Sequence, residues 1–329
     1  VMVNTNSRKT RVTTDQKGGL FVDVSQKDAE KIKANGVVSY NDFGAKGDGK
    51  TDDIDAIAAT HAFANQLGLP VKTDDGATYY IGGKLRLVEI RTDTDFGKAS
   101  FIIDDTKTEN SRSPVFVVSS NMEAKRITNI STLKRNQEKI DTKLSGPSLI
   151  SVTNSKKKLY IRLGRNQNNG ASQTDIFMVD KEGNVDKNTP IIWDFDNISN
   201  MTALPIDEKT LTIRGGRFTT IANSVNINDY PYFNRGIAIR RSNVLVDGLV
   251  HLVTGEGEHG APYSGFINLD LSKSEAEQTN KIDTSGKAAA GDYPADRDLR
   301  IMLRQRGVGA QVGGIRVGNT WQHVMGPVE

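Results

Sequence analysis

The sequence predicts an all-β chain of stacked coils, opened by one helix and interrupted by a small antiparallel unit. Three observations predict it. Short strand segments closed by glycine or asparagine recur along the chain, one long helix follows the first of them, and residues 120–209 switch to strands joined by polar turns. Repeated short strands with no helices between them argue for a solenoid whose turns bury one continuous core.

Composition bounds the function. With 36% hydrophobic, 25% charged and 6% aromatic residues in 329, the chain is globular but polar. No window approaches the roughly 18 consecutive apolar residues of a membrane span, so membrane insertion is excluded. Cysteine is absent, so packing or subunit association must hold the fold in place of disulfides or zinc-thiolate sites. The net charge of +3 comes from interleaved acids and bases, which leaves no continuous basic surface for nucleic acid. The first eleven residues carry cations without an apolar segment and do not read as a secretory signal.

Residues 1–36 are polar, with a strand candidate at 18–22 and a helical stretch near 28–34, and read as an N-terminal anchor or linker. The coil is expected to start over 37–119. Val37 to Tyr40 reads as a strand, a glycine and aspartate loop follows, and 51–67 reads as a helix with Thr51 as N-cap. Asp52, Asp53 and Asp55 sit in its first turn, where the helix dipole favours carboxylates. At 100° per residue Ile54, Ile57, Ala58 and His61 share one face while Phe63 and Leu67 lie nearly opposite, so the helix should be covered on two sides. Gly68 ends it, with Pro70 just beyond. Strands are expected at 78–81, 84–90, 100–103 and 115–118.

The insertion, 120–209, carries strands at 149–152, 158–163, 175–179 and 191–195, with turns at 166–170 and 182–184. Its polar stretch 131–144 reads equally as a helix or an exposed loop. The run Lys156, Lys157 and Lys158 reads as a solvated turn before a strand. Coil grammar returns over 210–271 with LTIRGG at 211–216, GIAIRRSN at 236–243 and VLVDGLV at 244–250. Residues 272–329 read as a polar linker followed by a C-terminal β segment.

The stretch YNDFGAKGDGKTDDIDAI at 40–57 closely resembles the opening of pectate-lyase-like proteins, a superfamily that includes bacteriophage tail spikes and neck appendages. The resemblance implies a right-handed parallel β-helix with an N-terminal capping helix and an inserted small antiparallel β-domain. A cap answers a physical need, because an uncovered solenoid end exposes core side chains and unpaired strand edges. Softer similarity to phage appendages covers LYIRLGRN at 159–166, IFMVDKEG at 176–183 and the segment from Arg240 to Phe266. The same glycine loop, GAKGDGKT at 44–51, also fits a phosphate-loop pattern, with a Walker-B-like FIIDD at 101–105. Against nucleotide binding stand Asp48 inside the loop and Asp52, Asp53 and Asp55 just after it, which put negative charge where phosphates would sit.

The richest polar cluster is HLVTGEGEHG at 251–260. Glycosidases need two carboxyl groups flanking the scissile bond, one protonated and one ionised. Glu256 and Glu258 have that chemistry and share a face if the segment is extended, with His259 beside them and Asp247 at the preceding strand end. A plain glycine-rich loop with solvated acids is the competing reading. The segment also lacks the Asn-Thr-Asp, Asp-Asp and Gly-His-Gly signature of polygalacturonases, so their mechanism is not carried over. Trp193, Asp194, Asp196 and Tyr263 are the candidate sugar-contacting residues, since rings pack on sugar faces and acids accept hydroxyl hydrogen bonds; Trp193 also reads as core. Metal-binding spacings are absent, and no cofactor is expected.

The resemblance implies a virion protein, in a tail spike or neck appendage, that adsorbs to a cell-surface polysaccharide such as teichoic acid or capsule, with or without degrading it. Other virion proteins would be its neighbours. A homotrimer is expected, because association would cover the lateral faces of a cysteine-free coil. A secreted polysaccharide lyase or hydrolase of the same fold is the alternative, and a purely structural virion component is the third reading.

Overall fold

The computed structural model describes residues 1–160, 171–223, 233–255, 266–270, 281–283, 301–304, 314–317 and 320–323. The chain is mostly β, with two α-helices among these residues.

The first 36 residues, read from the sequence as an anchor or linker, form a folded layer. Strands β1 (Met2–Ser7), β2 (Arg11–Thr14) and β3 (Leu20–Ser25) make a sheet with β3 in the centre. Helix α1 (Gln26–Asn35) follows at once. Ser25 caps it by accepting the Asp28 N–H, and Gly36, at φ 70°, closes it by returning its N–H to Ile32. Alternation buries Leu20, Val22 and Val24, which with Ala29 and Ile32 join the main hydrophobic core. The surrounding charge hides this pattern in a composition count.

Helix α2 spans Ile54–Leu67, three residues later than the expected start. Thr51 does not cap it. Thr51 lies in the short strand Asp48–Asp52, and its N–H and hydroxyl are both held by the Asp48 carboxylate at 2.7 and 2.8 Å. Asp53 occupies the cap position without capping, because its carboxylate turns back to accept Lys46 N–H at 2.7 Å and Gly47 N–H at 2.9 Å. The two-sided burial is as expected. Ile54, Ile57, Ala58, His61 and Phe63 are all within 2% of complete burial, with the N-terminal layer on one side and the first turns of the coil on the other.

From Val38 onward the chain winds through three parallel faces. The first face stacks Val38–Ser39, Val71–Lys72, the start of Thr94–Asp104, the start of Leu211–Ile221, and then Val244–Asp247. Lys281–Asp283 and Gly314–Val317 continue it. The second stacks Asp48–Asp52, Thr78–Ile81, the later halves of the same two long strands, and Val250–Thr254. The third stacks Val88–Ile90, Phe116–Ser119, Ile237–Arg240, Ile267–Asp270 and Ile301–Arg304. Each long strand turns the corner between the first two faces at glycine. Gly97 and Gly215 have φ of 49° and 68°, and a Cβ on Gly215 would lie 2.5 Å from the Gly97 carbonyl oxygen, so the stacked corner admits no side chain there.

Inside, in-register residues stack. Tyr79, Phe101, Phe218 and His251 form one column, in which Phe101 and Phe218 lie 4.6 Å apart at 11° and Phe266 lies 4.0 Å from His251 at 14°.

In the first turn α2 follows the second-face strand, at the point where later turns place a third-face strand. Asn65 closes the sheet edge there. Its amide donates to the Glu89 carbonyl at 2.7 Å and accepts the Arg91 N–H at 2.9 Å, the pair of bonds a neighbouring parallel strand would make. Asn65→Leu should cost about 2 kcal/mol through two unpaired backbone groups and bare the edge of Val88–Ile90. Thermal melting, with light scattering for end-to-end association, checks this.

Between Phe116–Ser119 and Leu211–Ile221 the chain leaves the coil. It forms an antiparallel sheet in the order Lys125–Arg126, Asn200–Pro205, Ser148–Tyr160, Ala171–Val179. Its core, including Ile150, Val152, Phe177, Phe195 and Met201, is separate from that of the coil. Residues 131–144 are irregular, tied by single bridges from Leu133 to Phe195 and from Lys139 to Asn184. The expected strand at 191–195 is reduced to the first of those bridges. Lys156, Lys157 and Lys158 stand exposed at a bulge within a strand, not in a turn before one.

Candidate functional site

Among the described residues a cleft of about 740 Å³ lies where the antiparallel unit joins the coil. Asp207 organises it. The residue is 8% exposed and sits where the chain leaves the unit. Its carboxylate accepts the Ser120 hydroxyl at 2.8 Å, from the point where the chain enters, and pairs with Arg241 of the next turn at 3.3 Å. Its N–H donates to Ser242 Oγ at 2.7 Å, and its carbonyl accepts the Asn243 amide. Arg241 also donates to the Lys209 carbonyl at 2.7 Å. Both ends of the insertion are thereby fixed to the coil.

The rest of the lining combines apolar surface from Pro70, Pro147, Pro205 and Ile206 with the polar side chains of Arg91, Asp93, Asn121 and Lys209. Arg91 is engaged by Glu89 at 2.7 Å and by Ser119 Oγ at 3.3 Å. Burial alone would raise the Glu89 pKa, but its hydrogen bonds from Arg91 and Ser119 outweigh that and hold it below the usual value. Asp93 accepts the Thr212 N–H at 2.7 Å and stays exposed, as do Glu208 and Lys209. The sequence marks none of these residues as a binding site. The one usable signal was the polar cluster DEKT at 207–210, which sits where the two grammars meet.

Asp247 lies on the first face, in a register column that runs Ser39, Lys72, Asp95, Arg214, Asp247, Asp283, Arg316. Signs alternate from Lys72 to Asp247. Arg214 Nε and Asp247 Oδ2 are 3.9 Å apart and both side chains are about half exposed, so the contact contributes at most about 1 kcal/mol. Glu256, Glu258, His259 and Tyr263 lie outside the described residues. His251, the first member of their cluster, is core: 3% exposed, with Nε2 2.9 Å from Thr220 Oγ1.

Trp193, Asp194 and Asp196 fall together in the antiparallel unit, but the acids hold local structure. Asp194 accepts the Arg135 N–H at 2.9 Å, and Asp196 accepts the Asn154 amide at 3.0 Å. Trp193 packs against the unit's core with its Nε1 buried and unpaired among the described residues. Nearby Asp175 is 1% exposed; burial raises its pKa to about 6 although Ile176 and Ile192 donate N–H groups to it. Among the described residues no three His, Asp or Glu side chains are grouped to hold a metal.

The glycine loop is satisfied internally. The amides of Lys46, Gly47, Lys50 and Thr51, which would have to face a phosphate, point at Asp53 and Asp48. Those backbone N–H bonds to Asp48, foremost that from Thr51, lower its pKa to about 2. Lys50 is exposed. Lys50→Ala should leave the melting temperature within about 1 °C, the surface-substitution range, and neither protein should bind ATP in calorimetry.

No family model matches the chain, and no curated protein matches it. Among solved structures it is similar to the tailspike gp61 of Pseudomonas phage phi297, at 11% identity and a TM-score of 0.39 over 76% of this chain and 45% of that one. It is similar to the tailspike gp49 of Pseudomonas phage LKA1, at 11% identity and a TM-score of 0.35 over 75% and 45%. A third is the Gp54 tailspike of Acinetobacter baumannii bacteriophage AP22, in complex with A. baumannii capsular saccharide, at 12% identity and a TM-score of 0.33 over 84% and 54%. The chain spans about half the length of these proteins.

Proposed function

We propose that this chain is part of a phage tail spike or neck appendage that adsorbs to a cell-surface polysaccharide outside the host. On this reading residues 37–119 and 210–271 are turns of a right-handed parallel β-helix, 120–209 is an inserted domain, and the subunit works as a homotrimer beside other virion proteins. The observation that carries the reading is the opening motif: residues 40–57 resemble the start of such proteins, and here they lead from the first strand into α2, which lies on the end of the stacked coils. A rigid stack of this kind offers outer faces and a side cleft to an extended polymer without ordering costs in the protein.

Incubating the protein with bacterial capsules and teichoic acids tests this directly. Retention of a polymer on the immobilised protein, and competition with phage for adsorption, are the expected results. Shortened products would assign degradation, and their loss in Glu256→Gln or Glu258→Gln would assign the carboxyl pair, with His259 and Asp247 as neighbours to be tested next. Light scattering should give three times the 35.9 kDa chain mass; a monomer together with polymer cleavage would favour a secreted enzyme.

A further inference from the structure

Resting on that reading, we infer that the cleft at the root of the antiparallel unit takes an uncharged, hydroxyl-rich stretch of glycan and rejects a polyanion such as a polyol phosphate. The charge inventory carries this. At the floor Arg241 is already paired with Asp207 at 3.3 Å and bonded to the Lys209 carbonyl at 2.7 Å. On the wall Arg91 donates to Glu89 and to Ser119 Oγ. The exposed rim then holds two carboxylates, Asp93 and Glu208, against one ammonium, Lys209. A phosphate polymer would meet cations already compensated and a rim of net negative sign, which is a repulsive element against the wrong ligand.

Sugar hydroxyls are matched instead. They donate to the rim carboxylates and accept from Lys209 and the Asn121 amide, while their C–H faces rest on Pro70, Pro147 and Pro205. Nearby, the first-face column alternates in sign from Lys72 through Asp95 and Arg214 to Asp247. Leu211, at the cleft, is three residues from Arg214, roughly 10 Å along the strand. A chain leaving the cleft in that direction meets no basic track.

The test is calorimetry on the full chain with two probes of matched length, neutral capsular oligosaccharides and poly(glycerol phosphate). The neutral probe should bind with a Kd that changes less than about twofold between about 0.05 and about 0.5 M salt, whereas a phosphate polymer held by basic groups would bind tightly at low salt and lose affinity steeply as salt rises. Asp93→Asn with Glu208→Gln keeps the acceptor for Thr212 N–H but removes both charges. It should weaken neutral binding about tenfold, the loss of charge assistance from two hydrogen bonds, without moving the melting temperature. Tighter binding of the phosphate polymer overturns the inference. So does neutral binding that the double variant leaves unchanged, which would place the glycan elsewhere and keep the adsorption reading. Failure of every polysaccharide to bind overturns both.

Discussion

Arg235→Ala should lower stability by about 3 to 5 kcal/mol, the cost of removing one partner of a buried ion pair. Arg235 lies just before the third-face strand Ile237–Arg240, and its side chain is 4% exposed. Its Nη1 donates to the Asp104 carbonyl at 3.1 Å and the Asp105 carboxylate at 2.9 Å, and its Nη2 donates to the Gly82 carbonyl at 2.8 Å. These acceptors belong to the two preceding turns, so one guanidinium fastens three consecutive turns at the corner between second and third faces. Asp105 is completely buried and becomes the main source of the loss. Lysine cannot replace the planar fork, so Arg235→Lys should recover only part of the loss. Removing both partners in Asp105→Asn with Arg235→Met should cost less than Arg235→Ala alone, because both members of the buried ion pair are neutralised together. Urea unfolding midpoints read all three. A parent-like midpoint for Arg235→Ala would mean that the corner is held by packing alone.

That clamp was not legible in the sequence, and the reason is general to this molecule. Local signals foretold what depends on local spacing: the strand Thr78–Ile81 at its bounds and the two-sided burial of α2. Those features follow from side-chain periodicity and glycine punctuation. The groups that fix the turns together pair residues far apart in the chain. Arg235 meets Gly82, Asp207 meets Ser120, and Asn65 meets Glu89, with separations of 153, 87 and 24 residues. Periodicity carries no information about such pairs. The helix start failed for a related reason: Thr51 and Asp53 are both good cap residues, but each is engaged in the loop at 46–51 and neither caps.

The candidate site divides the same way. Asp247 precedes a glycine at a strand end and occupies an outer column of the first face, outside the lining of the cleft. Trp193, Asp194 and Asp196 looked alike in sequence but are engaged in the fold of the antiparallel unit. The cleft residues come from five separate stretches of chain, around 68–70, 91–93, 121–122, 145–147 and 205–211 with Arg241. No single stretch contains a recognisable motif, and the chemistry exists only once the insertion is folded against the coil.

Acid should loosen the N-terminal end of the coil while leaving the antiparallel unit in place. His61 is fully buried between the coil and the N-terminal layer. Its Nε2 shares a hydrogen bond with the Tyr40 hydroxyl at 2.9 Å, and its Nδ1 has no partner among the described residues. Burial lowers its pKa from 6.5 to about 3. The folded state therefore resists a proton that the unfolded chain accepts below about pH 6.5, and stability falls as the pH drops from there toward about 3. At pH 4 the loss is about 3 kcal/mol, at about 1.4 kcal/mol per pH unit. Asp175 works in the opposite direction. Burial raises its pKa to about 6, so the folded antiparallel unit gains a proton before the unfolded chain does and becomes more stable between about pH 6 and about 4. Because the two groups lie in separate cores, hydrogen exchange read region by region resolves them where a single melting curve blurs them. Amides of α2 and β3 should lose protection between pH 6.5 and 4, while those of Ser148–Tyr160 and Ala171–Val179 hold or gain it. His61→Leu should flatten the first trend, and Asp175→Asn the second. If α2 kept its protection at pH 4, or lost it equally in His61→Leu, the buried imidazole would not be the group that senses acid.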